Sequence, residues 1–368
     1  GVRRCAAEGQ RGVGMYGRRV PELGGGMPEA AERPLLDRRR VVVTGKGGCG
    51  KPTVAAATAL AAAESGRRVA LIELGRDEHL HRLLDPDSQP VGYAGRELHP
   101  SLWVFHIDPF EALAEYIGMQ IGLTSLVKRA LRQASFQQLL GAAPGWRELV
   151  TLGKIGHLEN LARAGARPDY DLIVVDAPAS GHGLAFLDVP RVVQSAIKSG
   201  PLRRRARDIE TLLQDPARTL LLPVTLAEEL PVRETIELVA RARDELGMQL
   251  DRVVVNRVVP VPFGSELDTL EARLESLPTG TTFGSLPAPR VLAHCCASRR
   301  ARFELNHAYV SELAGRIALP IVPLSDIPGG IEAPRDLLRL GGEMLRKSGT
   351  GSTHVAQNEL SSQPVSRA

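Results

Sequence analysis

Short β-branched runs recur along the chain at 41–44, 69–72, 103–107, 172–175, 219–224, 252–255 and 321–322. Several are apolar at consecutive positions rather than alternate ones. Such runs need cover on both faces, which is the condition of a strand inside a parallel sheet. Between them, the Ala-rich stretch 54–64 and the periodic stretch 231–246 predict helices. Strands alternating with helices predict an α/β chain with a doubly wound, mostly parallel sheet. From about 110 to 165 the rhythm breaks into helical patterns without a strand run, which predicts a helical insertion at the carboxyl edge of the sheet. No internal repeat is visible, so the pattern describes one unit and not a tandem pair.

The two ends read differently. Residues 1–38 are rich in Gly and Arg and lack apolar periodicity, and 347–368 are polar and Ser-rich. Both are expected to be disordered, with translation expected to begin at Met27. The head lacks the apolar core of a secretory signal. No stretch approaches the roughly 18–20 apolar residues of a membrane span. The net charge of +4 is concentrated: residues 1–40 hold nine Arg against five acids, so 41–368 sum to zero. A basic nucleic-acid-binding face is therefore not expected on the ordered part. Four Cys in 368 residues exclude a disulfide scaffold and suit a reducing, cytoplasmic setting.

The first strand runs into Gly45-Lys46-Gly47-Gly48-Cys49-Gly50-Lys51-Pro52-Thr53 and then a helix. A glycine-rich turn between strand and helix lets backbone N–H groups converge on phosphate oxygens, and the helix N-terminus adds partial positive charge. Lys51 stands where a point charge spans the β- and γ-phosphates. A later strand ends in four apolar residues and Asp176, which puts a carboxylate at a strand tip facing that loop. There it can hold Mg²⁺ through the ion's water shell.

Two local patterns carry a family resemblance. Lys46, directly after the first glycine, resembles the deviant Walker A loop shared by MinD, ParA, the nitrogenase iron protein and the arsenical pump ATPases. The run Asp176-Ala177-Pro178-Ala179-Ser180-Gly181-His182-Gly183-Leu184 resembles the second switch of the ArsA family, which also contains the targeting factor for tail-anchored membrane proteins. His106-Ile107-Asp108-Pro109, Pro144-Gly145 with Glu148, Val253-Val254-Val255-Asn256-Arg257 and Leu319-Pro320-Ile321-Val322-Pro323-Leu324 resemble further segments of that family, over about residues 39–345. The resemblance implies a P-loop ATPase acting as a homodimer or as a heterodimer with a paralogue, with ATP and Mg²⁺ as cofactors. It further implies that Lys46 reaches the partner's nucleotide, that Asn256 reads adenine, and that residues 319–324 wrap the base. A helical cargo or partner domain moves with hydrolysis in this family, and a membrane-protein partner or client is among the implied options.

Two positions depart from the family. The residue after Lys51 should carry a hydroxyl that ligates Mg²⁺, but Pro52 has neither hydroxyl nor N–H. Proline suits the first helical turn, so the loop can still form. Thr53 is the nearest hydroxyl, though about 100° further round the helix. Gly75 occupies the place of the first-switch Asp thought to position the attacking water. Asp77 and Glu73 are the neighbouring carboxylates that could replace it, and Glu73 reads equally well as a satisfied strand-end acid. These losses raise an alternative, a pseudo-ATPase subunit that binds nucleotide and partners an active paralogue. No C-x-x-C is present for a zinc-clasped dimer, and Cys295-Cys296 are expected to pack at a helix start rather than hold a metalloid. The helix expected around 337–345 is short and mixed in charge, unlike a membrane anchor.

Overall fold

The computed structural model describes residues 35–345 except 76–77, 123, 132, 134–135, 137, 139, 141–144, 161–169 and 261–265. Its strands are β1 Arg40–Gly45, β2 Val69–Glu73, β3 Arg96–His99, β4 Leu102–His106, β5 Leu172–Asp176, β6 Thr219–Leu226, β7 Val253–Val258 and β8 Ile321–Ser325. They form one sheet in the order β3-β4-β2-β5-β1-β6-β7-β8. Every neighbouring pair is parallel except β3 with β4. The seven apolar runs each fall on one of these strands, to within a few residues. The antiparallel edge strand β3 was not foreseen. Its Arg-Glu-Leu-His sequence has no buried residue, so no apolar run marks it.

The helices are α1 Lys51–Glu64, α2 Leu80–Leu84, α3 Pro109–Ile121, α4 Thr124–Leu131, α5 Trp146–Asn160, α6 Ser180–Ala196, α7 Pro201–Gln214, α8 Glu229–Asp244, α9 Glu266–Ser276, α10 Pro289–Arg316 and α11 Pro334–Leu345. The two faces of the sheet are read off the strand alternation. Val41, Val43, Leu71, Val174, Leu220 and Leu222 pack with α1, α2 and α11. Val42, Ile72, Phe105, Ile173, Val175 and Leu221 pack with α5, α6, α7 and α8. The alanines of α1 let neighbours come close. A Cβ on Gly341 of α11 would stand 2.6 Å from Ala61 Cβ and 2.7 Å from the Ala57 carbonyl oxygen.

The ordered fold begins earlier than the head boundary at 38 suggests. Leu35–Asp37 is a 3₁₀ turn, and Leu35 and Leu36 are buried. Two arginines counted with the basic head are also structural, because Arg38 and Arg40 are buried. Arg40 Nη2 lies 2.5 Å from Glu159 Oε2 of α5, and its Nη1 donates to Thr219 Oγ1 at 3.1 Å. Arg218 pairs with the same carboxylate. Burial lowers the Arg40 pKa while Glu159 opposes that shift, so the charge is kept by its partner. Among the described residues, no helix is long and apolar enough to cross a membrane.

Candidate functional site

The turn after β1 is shaped by close approaches. Gly45 pairs in register with Val224 of β6, and a Cβ there would stand 2.0 Å from the Val224 carbonyl oxygen. Gly48 and Gly50 both have φ +84°, a left-handed conformation that glycine adopts freely. Gly47 and Gly48 are exposed, so their backbone faces solvent. A Cβ on Gly50 would stand 2.2 Å from Asn256 Nδ2. Asn256, within β7, donates that Nδ2 to the Cys49 carbonyl at 2.9 Å, and its Oδ1 accepts from the Arg257 N–H at 3.0 Å. The residue expected to read adenine therefore also clamps the loop. Cys49 is fully buried, and that burial pushes its thiol pKa up, so it acts as a small apolar side chain.

Lys51 opens α1 with its side chain buried, and its Nζ donates to the Lys46 carbonyl at 3.2 Å. Burial lowers its pKa, with Asp176 pulling the other way. Pro52 occupies the first turn of α1, where its missing N–H breaks no helical bond. Lys46 Nζ is 2.7 Å from Glu234 Oε1 on α8 of the same chain. Thus the lysine expected to reach a partner is held within its own subunit here.

A second group of side chains stands at the strand tips. Asp176 of β5 is in register with Val43 of β1 and Glu73 of β2, and Glu73 with His106 of β4. Asp176 is 7% exposed and its Oδ1 has no hydrogen-bond partner among the described residues. The same holds for the buried atoms Thr44 Oγ1, Glu73 Oε2 and His106 Nδ1. The other oxygen of Glu73 accepts from the N–H groups of His79 at 2.7 Å and Leu80 at 3.2 Å. Burial pushes Asp176 up to about 7, Lys51 opposing and Glu73 reinforcing the shift. Burial also raises the Glu73 pKa, against those two N–H donors. At Gly183 of α6, a Cβ would stand 2.7 Å from the Pro178 carbonyl and 2.8 Å from Thr44 Oγ1, so only glycine lets the helix start over β1.

Buried oxygen donors left without partners fit a hard divalent cation such as Mg²⁺. Among the described residues no cluster of three or more His, Cys, Asp or Glu forms a metal cage. The donor set is instead one or two carboxylates beside a phosphate loop, the usual protein share of a magnesium–nucleotide site.

Among the described residues, Thr53 is not one of those in contact with this row of strand tips. With Gly50 and Asn256 it lines an open cavity of about 980 Å³, bordered further out by Arg257, Arg299 and Arg302. Residues 325–331, from the last residue of β8 onward, also line it. The segment expected to wrap the base, 319–324, lies mostly within β8 itself; the cavity is lined instead by Ser325 at the end of β8 and the loop 326–331 after it. Cys295 is exposed on the cavity wall in the second turn of α10 and Cys296 is half-buried, so neither is packed away as expected. The long α10 has few buried positions, which leaves that turn open. Gly145 and Glu148 stand at the start of α5. Met27, Asp77 and Pro144 lie outside the described residues, as do the side chains of Gly181 and His182.

A strand, a glycine-rich loop, a buried lysine and a helix follow in order, with a buried aspartate on the adjacent strand tip. Together with the doubly wound sheet they define a P-loop nucleoside-triphosphatase fold. Residues 38–206, a little under half of the chain, match the family model of the anion-transporting ATPases, ArsA_ATPase. It is 34% identical over 224 residues to ATPase BagA of Mycobacterium tuberculosis, covering 60% of this chain and 65% of that one. It is 26% identical over 243 residues to a putative arsenical pump-driving ATPase of Halobacterium salinarum, covering 63% and 37%. With an arsenical pump-driving ATPase of Escherichia coli the identity is 27% over 237 residues, covering 59% and 39%. The chain thus spans about 65% of the length of the mycobacterial relative and less of the pump ATPases.

Proposed function

We propose that the chain is a cytoplasmic ATPase that binds ATP with Mg²⁺, works as a dimer, and couples hydrolysis to movement of its helical segment or a bound client. The observation that carries this reading is the pairing of a preformed phosphate loop with Asp176, a buried carboxylate whose Oδ1 lacks a partner. In it, Lys51 and the exposed loop backbone hold the phosphates, Asp176 orients the waters around the cation, and Asn256 and the cavity wall receive the nucleoside. Magnesium, when bound, neutralises charge on the β- and γ-phosphate oxygens. Lys46 would act on the nucleotide of a second subunit, identical or paralogous.

A second reading, a nucleotide-binding subunit with little hydrolysis of its own, is favoured by Pro52 and Gly75. Gly75 has φ +156°, and a Cβ there would meet no atom of the described residues within 4 Å. A side chain at this position would still cost about 1–3 kcal/mol in the backbone.

Single-turnover hydrolysis of γ-labelled ATP with Mg²⁺ separates the two. Turnover by the unmodified chain, rising further in Pro52→Thr, is the result expected of the enzyme. Tight nucleotide binding with no turnover in the parent, in Pro52→Thr or in Pro52→Thr with Gly75→Asp would leave only the second reading standing.

A further inference from the structure

We infer that Glu73 is the second carboxylate of the cation site, standing beside Asp176 where the chain lacks an acid at Gly75. The inference rests on the nucleotide-binding reading above and goes beyond it in naming the group that completes the site.

Glu73 ends β2 directly beside Asp176 of β5, at paired register positions, with His106 of β4 on its other side. It is 3% exposed, and its two oxygens have different surroundings. Oε1 is fixed by the N–H groups of His79 and Leu80, which leaves Oε2 buried with no hydrogen-bond partner among the described residues. An acid serving only to cap α2 has no need of a second buried and unanswered oxygen, because such an atom carries a desolvation cost. Asp176 Oδ1 and His106 Nδ1 are buried and unanswered on the neighbouring tips among the described residues. Three adjacent strands thus present, on one face of the sheet, a row of polar atoms without partners among the described residues, at the edge where the phosphate loop also opens. Lys51 is the cation that acts on Asp176, and Glu73 is the acid that acts on it from the other side. A hydrated divalent cation would answer the remaining charge, and its waters would reach the orphaned oxygens that no side chain reaches.

The choice of variants separates this role from the cap. Glu73→Gln keeps an acceptor oxygen for His79 and Leu80 and removes the charge and the second acceptor oxygen. Glu73→Asp keeps the charge and withdraws it by one methylene from those two N–H groups. Mn²⁺ is the probe, titrated by electron paramagnetic resonance against the full chain saturated with ADP, with Mg²⁺ as competitor. In Glu73→Gln, Mn²⁺ affinity is expected to fall about tenfold or more, as for other groups that orient a metal's ligands. Metal-free ADP affinity and melting temperature should hold at the parent's values. In Glu73→Asp, melting temperature should fall while Mn²⁺ affinity stays closer to the parent's. Mn²⁺ affinity in Glu73→Gln within twofold of the parent, with parental ADP binding intact, would overturn the role of Glu73 and leave the nucleotide-binding reading in place. A parent chain that takes up neither ADP nor Mn²⁺–ADP would overturn both.

Discussion

Asp176 sets the pH behaviour of the chain without nucleotide. Its carboxyl is pushed up to about 7 by burial, well above the ordinary carboxylate range. A folded-state pKa above the unfolded one means that the folded protein holds the proton more tightly. The contribution to stability is therefore fully present below pH 4 and is lost as pH rises through about 7. At about 1.4 kcal/mol per unit, the loss is on the order of 4 kcal/mol. Asp176→Asn keeps the shape and cannot ionise. Urea unfolding without nucleotide should give similar stability for parent and variant near pH 4, and at pH 8 a variant more stable by a few kcal/mol. With Mg²⁺ and ADP the order should reverse, because ligand stabilises only the protein that binds it. Equal stability at both pH values would mean that Asp176 is better solvated than its burial implies. The loop residues were legible in the sequence because they are contiguous, and their spacing alone specifies strand, turn and helix. Thr44, Glu73 and His106 were not legible as a group with Asp176. They come from separate strands and meet only through sheet register. The loop clamp of Asn256 was equally hidden, since its partner Cys49 is 207 residues away.

Among the elements, α1 and α11 show how tightly small residues fix the fold. The Ala-rich pattern of α1 marked it as a helix, but its closeness to α11 depends on a glycine in a distant segment. Gly341 meets Ala57 and Ala61 at distances no Cβ tolerates, whereas Gly342 has nothing within 4 Å. Gly341→Val should cost about 3 kcal/mol or more, because overpacked backbone cannot give way as a flexible side-chain tip can. Gly342→Ala should be neutral or stabilising by up to about 1 kcal/mol, since helix propensity rises without a clash. Paired thermal and denaturant melts check both, and similar effects at the two positions would mean that α11 sits further from α1. The long strands were readable for a related reason: apolar residues on both faces leave few alternatives to a central parallel strand. β3 was not, because a short polar edge strand has the composition of a loop. The start of the fold was misplaced for a similar reason. The arginines at 38 and 40 counted as solvated head charge, while Glu159, which answers Arg40, lies 119 residues further on.

At the scale of the whole molecule, the proposed dimer requires Lys46 to leave Glu234 of its own chain for the nucleotide of another. Its ion pair with Glu234 joins two half-exposed side chains, at 27% and 36% exposure. A pair this exposed is worth about 0–1 kcal/mol and weakens with salt, so it can hold the lysine at rest without locking it there. Association with a nucleotide-bearing second subunit would replace Glu234 by phosphate oxygens as the partner of Lys46, and a phosphate is the stronger anion. Three outcomes follow in sedimentation velocity with Mg²⁺ and a non-hydrolysable ATP analogue. The parent should shift from monomer toward dimer as analogue is added. Lys46→Ala should stay monomeric at analogue concentrations that saturate binding. Glu234→Gln should dimerise at lower analogue concentration, by a factor of up to about five, since 1 kcal/mol corresponds to roughly that factor. If Glu234→Gln shifts nothing while Lys46→Ala abolishes the dimer, the pair has no restraining role, though the lysine still acts between subunits. If the parent alone never dimerises but does so with a paralogue that carries Thr and Asp where this chain has Pro52 and Gly75, the assembly is mixed. The two losses would then sit in one subunit, with Lys46 still available to the other subunit's nucleotide.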